Sequence, residues 1–100
     1  SENFRVPGMS AADSIARAVA YAEAGADCLF VPVIEDRGAI AELIAAVAPR
    51  PVNVLVHDYD GRIAEFARLG ARRCSVGGSL AKASWNAFDA AARTLKGCAP

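Results

Sequence analysis

Two different hydrophobic periods alternate along the chain. In some stretches apolar residues recur every three or four positions, which predicts amphipathic helices. Between these stretches lie short runs that are apolar at almost every position, as is typical of strands in a parallel sheet covered on both faces. The pattern predicts helices at about 11–24, 37–48, 61–69 and 79–95, and strands at about 28–32, 52–57 and 73–76.

This strict alternation of helices and strands predicts an α/β fold built from parallel βα units, because short links between them are typical of right-handed βαβ crossovers. No linker or low-complexity segment interrupts the 100 residues, so we predict a single unit over 1–100. Three parallel strands leave two exposed edges. A complete βα barrel has eight strands and about 250 residues. The chain is therefore part of a barrel, a sheet completed by self-association, or a small open sandwich.

Local signals mark the ends of several helices. Ser10 and Asp13 have the spacing of a capping box at the start of the first helix, and Gly25 stands where a glycine would end it. Ser79 is placed to cap the last helix. The inner face of that helix is predicted to carry Leu80, Ala83, Ala87, Phe88, Ala91 and Leu95.

Composition excludes several classes of partner. Eleven basic and eleven acidic residues leave no net charge, which argues against nucleic acid and against an anionic membrane. No apolar run approaches the roughly 20 residues that span a bilayer, and residues 1–5 do not resemble a secretion signal. Cys28, Cys74 and Cys98 form no closely spaced pair, which favours a reducing compartment. We expect a cytoplasmic protein.

Candidate chemistry lies at the predicted carboxyl ends of the strands, where sites gather in parallel α/β folds. Glu35, Asp36, His57, Asp58 and Asp60 all fall there, and they suggest a divalent metal site or an acid/base pair. Their spacing matches no ligand motif. The simpler interpretation is that Asp36 and Asp60 cap the following helices while the others are solvated. We favour it, and we predict no catalytic residue and no metal ligand.

Asn53 is the one polar side chain within an otherwise apolar strand, and it shares a face with Leu55 and His57. In a barrel that face could point into the interior, where a buried amide needs hydrogen-bond partners. A contact with substrate and a structural hydrogen-bond network are equally supported.

Two further features could serve binding. Gly77, Gly78 and Ser79 form a turn before a helix. Such a turn could present backbone N–H groups to an anion. Paired glycines also serve plain tight turns, and we favour that interpretation. Trp85 lies off the inner face of the last helix. A large aromatic residue there is either a stray exposed side chain or an anchor for a partner. The incomplete sheet and the long helix favour an interface.

Three segments carry a family resemblance. Residues 18–32 (AVAYAEAGADCLFVP) resemble the stretch leading into the sixth strand of the isocitrate lyase/phosphoenolpyruvate mutase superfamily. Residues 51–55 (PVNVL) resemble its seventh strand, and residues 69–81 (LGARRCSVGGSLA) its eighth strand and following helix. The resemblance extends over roughly 10–95 in unbroken order. It implies that the three strands are the sixth to eighth of a (βα)8 barrel.

The resemblance also implies a chemistry. Members of the superfamily cleave or form C–C or P–C bonds in small 2-oxo or hydroxy acids, with Mg²⁺ stabilising an enolate-like intermediate. They are usually tetramers whose subunits exchange the eighth helix, here 79–95, which would give Trp85 a partner. The acids that bind the metal, the catalytic loop and the substrate-binding arginine belong to earlier strands, for which this chain has no counterpart.

The expected function follows from that partial match. We expect the C-terminal part of a lyase or mutase, inactive alone, in which Asn53 is the one substrate contact that carries over. The alternatives are a non-catalytic half-barrel that self-associates and a small anion-binding domain.

Overall fold

The computed structural model describes residues 6–32, 34–57 and 62–98. Three strands form one sheet in the order β1-β2-β3, and both pairs are parallel. This arrangement confirms the predicted α/β fold with a parallel sheet. The elements are α1 (Ala11–Glu23), β1 (Leu29–Phe30), α2 (Arg37–Ala46), β2 (Val52–Leu55), α3 (Arg62–Leu69), β3 (Arg73–Ser75) and α4 (Ser79–Gly97).

The core lies between one face of the sheet and helices α1 to α3. Side chains alternate between the two faces of a strand, and Val52, Val54 and Val56 all point into the core. From the helices, Ile40 and Phe66 reach the same cluster. The remaining buried members are Ile15, Ala18, Leu29, Val31, Ile34, Leu43, Val47 and Ala71.

The start and end of α1 confirm both sequence signals. The backbone N–H of Asp13 donates to Ser10 Oγ at 3.2 Å, and the N–H of Ser10 donates to Asp13 Oδ2 at 2.8 Å. This reciprocal pair is a capping box, which satisfies two N–H groups that have no partner within the helix. Gly25 follows the last turn with φ of 102°, a left-handed conformation that glycine adopts without strain.

Removing the cap should destabilise the protein in a pH-dependent way. Ser10→Ala is expected to lower the free energy of unfolding by about 1 kcal/mol at neutral pH. The hydrogen bonds from Ser10 hold the pKa of Asp13 below its ordinary value of 3.8. The stabilisation is therefore present above the unfolded-state pKa and is lost as the pH falls through the lower folded-state pKa.

Urea denaturation at pH 7 and near pH 2 checks this expectation. The difference between Ser10→Ala and the unsubstituted chain should shrink in acid. Ser84→Ala is the matched control, because the Ser84 hydroxyl donates to the Leu80 carbonyl in the interior of α4. An equal loss in both variants at pH 7 would contradict the assigned role of the cap.

Helix α4 differs from the sequence-based expectation. None of its residues is buried, and the predicted inner face is open, with Phe88 66% exposed and Leu95 74% exposed. The expectation that this stripe packs inside the chain is therefore wrong. The physical reason is that β3 is an edge strand, and α1 to α3 already cover the core face.

The predicted cap of α4 is also corrected. Gly78 occupies the N-cap position and makes no side-chain capping bond. Ser79 is the first helical residue, and its hydroxyl donates backward to the Val76 carbonyl at 2.6 Å. The serine lies one position too late to accept from the first-turn N–H groups, so it closes the preceding turn instead.

Candidate functional site

The face of the sheet that points away from the core carries a mixed set of side chains. Phe30, Asn53, Leu55 and Ser75 alternate in sequence with core residues of β1, β2 and β3, so they lie on this opposite face. Phe30 is paired in register with Asn53, and Ser75 with Leu55. Two apolar residues and two small polar residues therefore form one patch.

Asn53 lies at the centre of the opposite face and is only 6% exposed. Its Nδ2 donates to Ser75 Oγ at 2.8 Å. Its Oδ1 is buried and accepts no hydrogen bond from any residue that the structure describes. Buried polar atoms are nearly always paired, because an unmade hydrogen bond costs the full desolvation of the group. The amide oxygen therefore marks a place for a donor from elsewhere.

Two clefts adjoin at the carboxyl ends of β1 and β2. One has a volume of about 240 Å³ and includes Glu35 and Arg62. The other is smaller, about 120 Å³, and adds His57 and Leu55 to the same two charged residues. The structure thus brings Glu35 and His57 to one cleft, as their positions at strand ends predict. Asp58 and Asp60 lie outside the described residues.

Asp36 has the role that the simpler interpretation assigned to it. Its carboxylate accepts from the backbone N–H of Ala39 at 2.8 Å, which makes it the N-cap of α2. The Asp36 carboxylate is therefore engaged in capping α2, and the capping interpretation is confirmed for this residue.

Sequence reasoning missed the ion pair that spans the larger cleft. Arg37 Nη2 donates to Glu65 Oε2 at 3.0 Å, and Arg37 Nε contacts the other carboxylate oxygen. This two-pronged pairing links the start of α2 to α3. The sequence did contain a signal for this pair, because α2 and α3 both follow a strand and each carries a charged residue in its first turn.

The glycine turn before α4 is built for chain reversal. Gly77 has φ of 52°, a left-handed conformation that favours glycine. The backbone N–H and the hydroxyl of Ser79 both donate to the Val76 carbonyl, at 3.0 and 2.6 Å. Because these two donors are engaged within the turn, they are not directed at a ligand. The geometry supports the tight-turn interpretation of Gly77, Gly78 and Ser79.

Trp85 projects from α4 and is 68% exposed. Its indole contacts the Phe88 ring edge to face, with centroids 6.0 Å apart and an interplanar angle of 83°. Together with Leu80 and Leu95 these rings form an exposed apolar surface, which we call the α4 surface. Large exposed apolar patches on globular proteins usually mark contacts with other molecules.

The described residues contain neither a metal-binding cluster nor a membrane-spanning helix. Over residues 6–32, 34–57 and 62–98, no three His, Cys, Asp or Glu side chains are grouped so that they could hold a metal ion. Within the same ranges, no helix has the length and apolarity needed to cross a membrane.

The chain is similar in structure and in sequence to known proteins. A crystal structure of a "putative lyase/mutase" from Burkholderia cenocepacia J2315 matches with a TM-score of 0.86 and 43% identity, over 95% of this chain and 35% of that one. The model of the phosphoenolpyruvate phosphomutase family matches residues 1–96. The chain belongs to the PEP mutase family, so the resemblance stated from three sequence segments is confirmed.

Relatives in another organism show the same partial coverage. Two uncharacterised proteins of Mycobacterium tuberculosis, MT2054 (strain CDC 1551 / Oshkosh) and Rv1998c (strain H37Rv), are each 40% identical over 83 residues. The match takes in 82% of this chain and 31% of each relative. The chain therefore spans about a third of the length of the proteins it matches. The PEP mutase family is generally metal-dependent.

Proposed function

We propose that this chain supplies the sixth to eighth strands of a (βα)8 barrel that acts as a Mg²⁺-dependent lyase or mutase on small 2-oxo or hydroxy acids in the cytoplasm. Membership of the PEP mutase family supports the class of reaction. The chain matches 35% of the Burkholderia protein, which is close to the share that three of eight strands would take. By itself the chain is inactive in this proposal.

The observation that carries the proposal is the amide of Asn53. It is buried on a sheet face that no helix of the core covers, and its oxygen has no partner within the described chain. In a closed barrel this face would be the interior, and the missing donor would come from substrate or from another strand. We assign Asn53 as a substrate contact, with Ser75 holding the amide in position through the 2.8 Å bond.

The side chains in residues 6–32, 34–57 and 62–98 do not fit a metal site, because no three His, Cys, Asp or Glu residues are grouped there. When bound, Mg²⁺ would supply charge stabilisation for an enolate-like species, and in this proposal its ligands belong to barrel segments outside this chain. The chain's own residues orient the substrate through Asn53. In the closed barrel, Phe30 and Leu55 would help to exclude water from the same face.

The α4 surface supports a second element of the proposal, a homo-oligomer. A 19-residue helix with no buried residue exposes Leu80, Trp85, Phe88 and Leu95, so we propose that a second copy of the protein covers it. This also describes the alternative function, a self-associating module without catalysis. The glycine turn before α4 does not favour the anion-binding alternative, because the donors of Ser79 are engaged.

A chimeric barrel tests the proposal. The upstream part of the Burkholderia protein is joined to this chain in place of its own matching third, and both proteins are assayed on oxaloacetate, 2-methylisocitrate and phosphonopyruvate with Mg²⁺ or with EDTA. The chain alone should show no turnover. The chimera should retain kcat/KM within about tenfold of its parent, a difference of roughly 1.4 kcal/mol. Turnover by the chain alone, or a folded chimera that is inactive on its parent's substrate, would overturn the proposal.

Asn53→Leu in the chimera separates a substrate contact from a structural bond. Loss of a buried hydrogen bond to a charged substrate is expected to lower kcat/KM by roughly 10- to 100-fold. Ser75→Ala is the matched control, because it removes the amide's partner and keeps the amide, so its effect should be smaller. If Asn53→Leu lowered the melting temperature and left kcat/KM unchanged, the amide would be structural.

A further inference from the structure

A separate cleft lies at the amino end of the sheet, away from the clefts that contain Glu35 and His57. It has a volume of about 340 Å³, within the range of small-molecule pockets. We call it the amino-end cleft. Its walls include Ile44, Ala48, Pro49, Arg50, Pro51 and Arg72.

The apolar wall of the amino-end cleft is held by backbone bonds. The N–H of Arg50 donates to the Val47 carbonyl at 2.9 Å, and the Pro51 carbonyl accepts from Leu29 at 2.9 Å. Pro49 and Pro51 each fix one backbone φ angle. The segment between α2 and β2 is therefore anchored to the helix on one side and to β1 on the other. A ligand would meet a surface that is already ordered, which lowers the cost of binding.

The charged part of the amino-end cleft is two arginines. The N–H of Arg72 donates to the Val52 carbonyl at 3.2 Å, which places the Arg72 backbone beside the start of β2. Val52 follows Arg50 by two residues, so the two arginines are close together. Within the described chain the guanidinium of Arg72 has no ion pair, and Arg50 Nη1 lies 3.9 Å from the fully exposed carboxylate of Asp27. An ion pair of that length and exposure contributes little to stability.

Carboxylates of the described chain lie outside the walls of the amino-end cleft. Asp27 lies beside Arg50, and Glu23 lines a different cleft of about 280 Å³ that also includes Arg50. The amino-end cleft therefore combines an apolar wall with two cations, and no carboxylate of the described chain lines it. Arginine offers a planar fork of donors that matches a carboxylate in two-pronged geometry and stacks on aromatic rings.

We propose that the amino-end cleft binds a small organic anion, with its carboxylate between Arg50 and Arg72 and a compact apolar body against Ile44, Ala48 and the two prolines. The volume corresponds to about eleven waters at 30 Å³ each, which suits an anion of about ten non-hydrogen atoms. This site is independent of the proposed lyase or mutase activity, because it lies at the opposite end of the strands.

Binding of benzoate to the full chain tests the proposal by ¹⁵N NMR titration and thermal unfolding. Benzoate should cause saturable shifts at residues 44, 48, 50 and 72 and should raise the melting temperature, because a ligand of the folded state stabilises it. Inorganic phosphate has the charge without the apolar body, and benzyl alcohol has the body without the charge. Each should bind at least about tenfold more weakly.

Matched arginine variants complete the test. Arg50→Gln and Arg72→Gln should each weaken benzoate binding by about tenfold. Arg73→Gln removes the same charge from the neighbouring exposed residue, which does not line the cleft, and should leave affinity unchanged. Absence of saturable binding would overturn the proposal. Equal weakening by Arg73→Gln, or phosphate binding as tightly as benzoate, would show general attraction of anions and would also overturn it.

Discussion

Ile40→Ala is expected to lower the free energy of unfolding by about 2–5 kcal/mol. Ile40 is completely buried and belongs to α2, the helix that contacts both α1 and α3. Truncation removes apolar burial and leaves a cavity that its neighbours fill only in part. Because domains of this size are stable by about 5–15 kcal/mol, the variant should unfold at clearly lower urea concentration.

Ile63→Ala is the matched control for this prediction. It makes the same chemical change on α3, where the side chain is 56% exposed, and its effect should stay within about 0.5 kcal/mol. Equal losses for the two variants would contradict the placement of the core between the sheet and α1 to α3.

The second large effect is expected on self-association. The double variant Trp85→Ser, Phe88→Ser should raise the dissociation constant of the proposed homo-oligomer by more than about 100-fold. The reason is that buried aromatic anchors commonly contribute 2 kcal/mol or more each to an interface. Both rings are exposed in the single chain, so their loss should leave the helical content unchanged. Sedimentation equilibrium and circular dichroism provide the two measurements.

Arg93→Ala is the control for the α4 surface. Arg93 belongs to the same helix and forms an exposed pair with Asp89 at 2.8 Å, a type of contact that contributes less than about 1 kcal/mol. It should leave the association nearly unchanged. An unsubstituted chain that stays monomeric at every concentration would contradict the proposed oligomer.

Local signals in the sequence predicted the helices and strands, because the start and end of each one depend on residues that are close in sequence. The Ser10 and Asp13 capping box, the N-cap at Asp36 and the left-handed Gly25 are all visible within a few positions. β1 is shorter than the run of apolar residues around it and comprises Leu29–Phe30. Pro32 has no N–H to donate to a ladder, so hydrophobicity alone overstated the strand.

What could not be predicted depends on contacts distant in sequence. The bond between Asn53 and Ser75 joins residues 22 positions apart and follows from the register of β2 on β3. The ion pair of Arg37 with Glu65 likewise needs two helices brought together. The apolar period of α4 predicted a helix correctly, but a period cannot tell whether the partner of an apolar face lies in the same chain.

We propose that the sheet face carrying Phe30 and Asn53 is the interior of a larger barrel. In a background without Cys28, Cys74 and Cys98, the variants Phe30→Cys and Ala45→Cys are labelled with a thiol reagent, both in the chain alone and in the chimeric barrel. Ala45 is exposed on α2, and both neighbours of that helix, α1 and α3, are part of the chain alone. The labelling rate at position 45 should therefore not change. We predict that the cysteine at position 30 is labelled readily in the chain alone and becomes protected in the chimera. Equal labelling of position 30 in the two proteins would contradict the account.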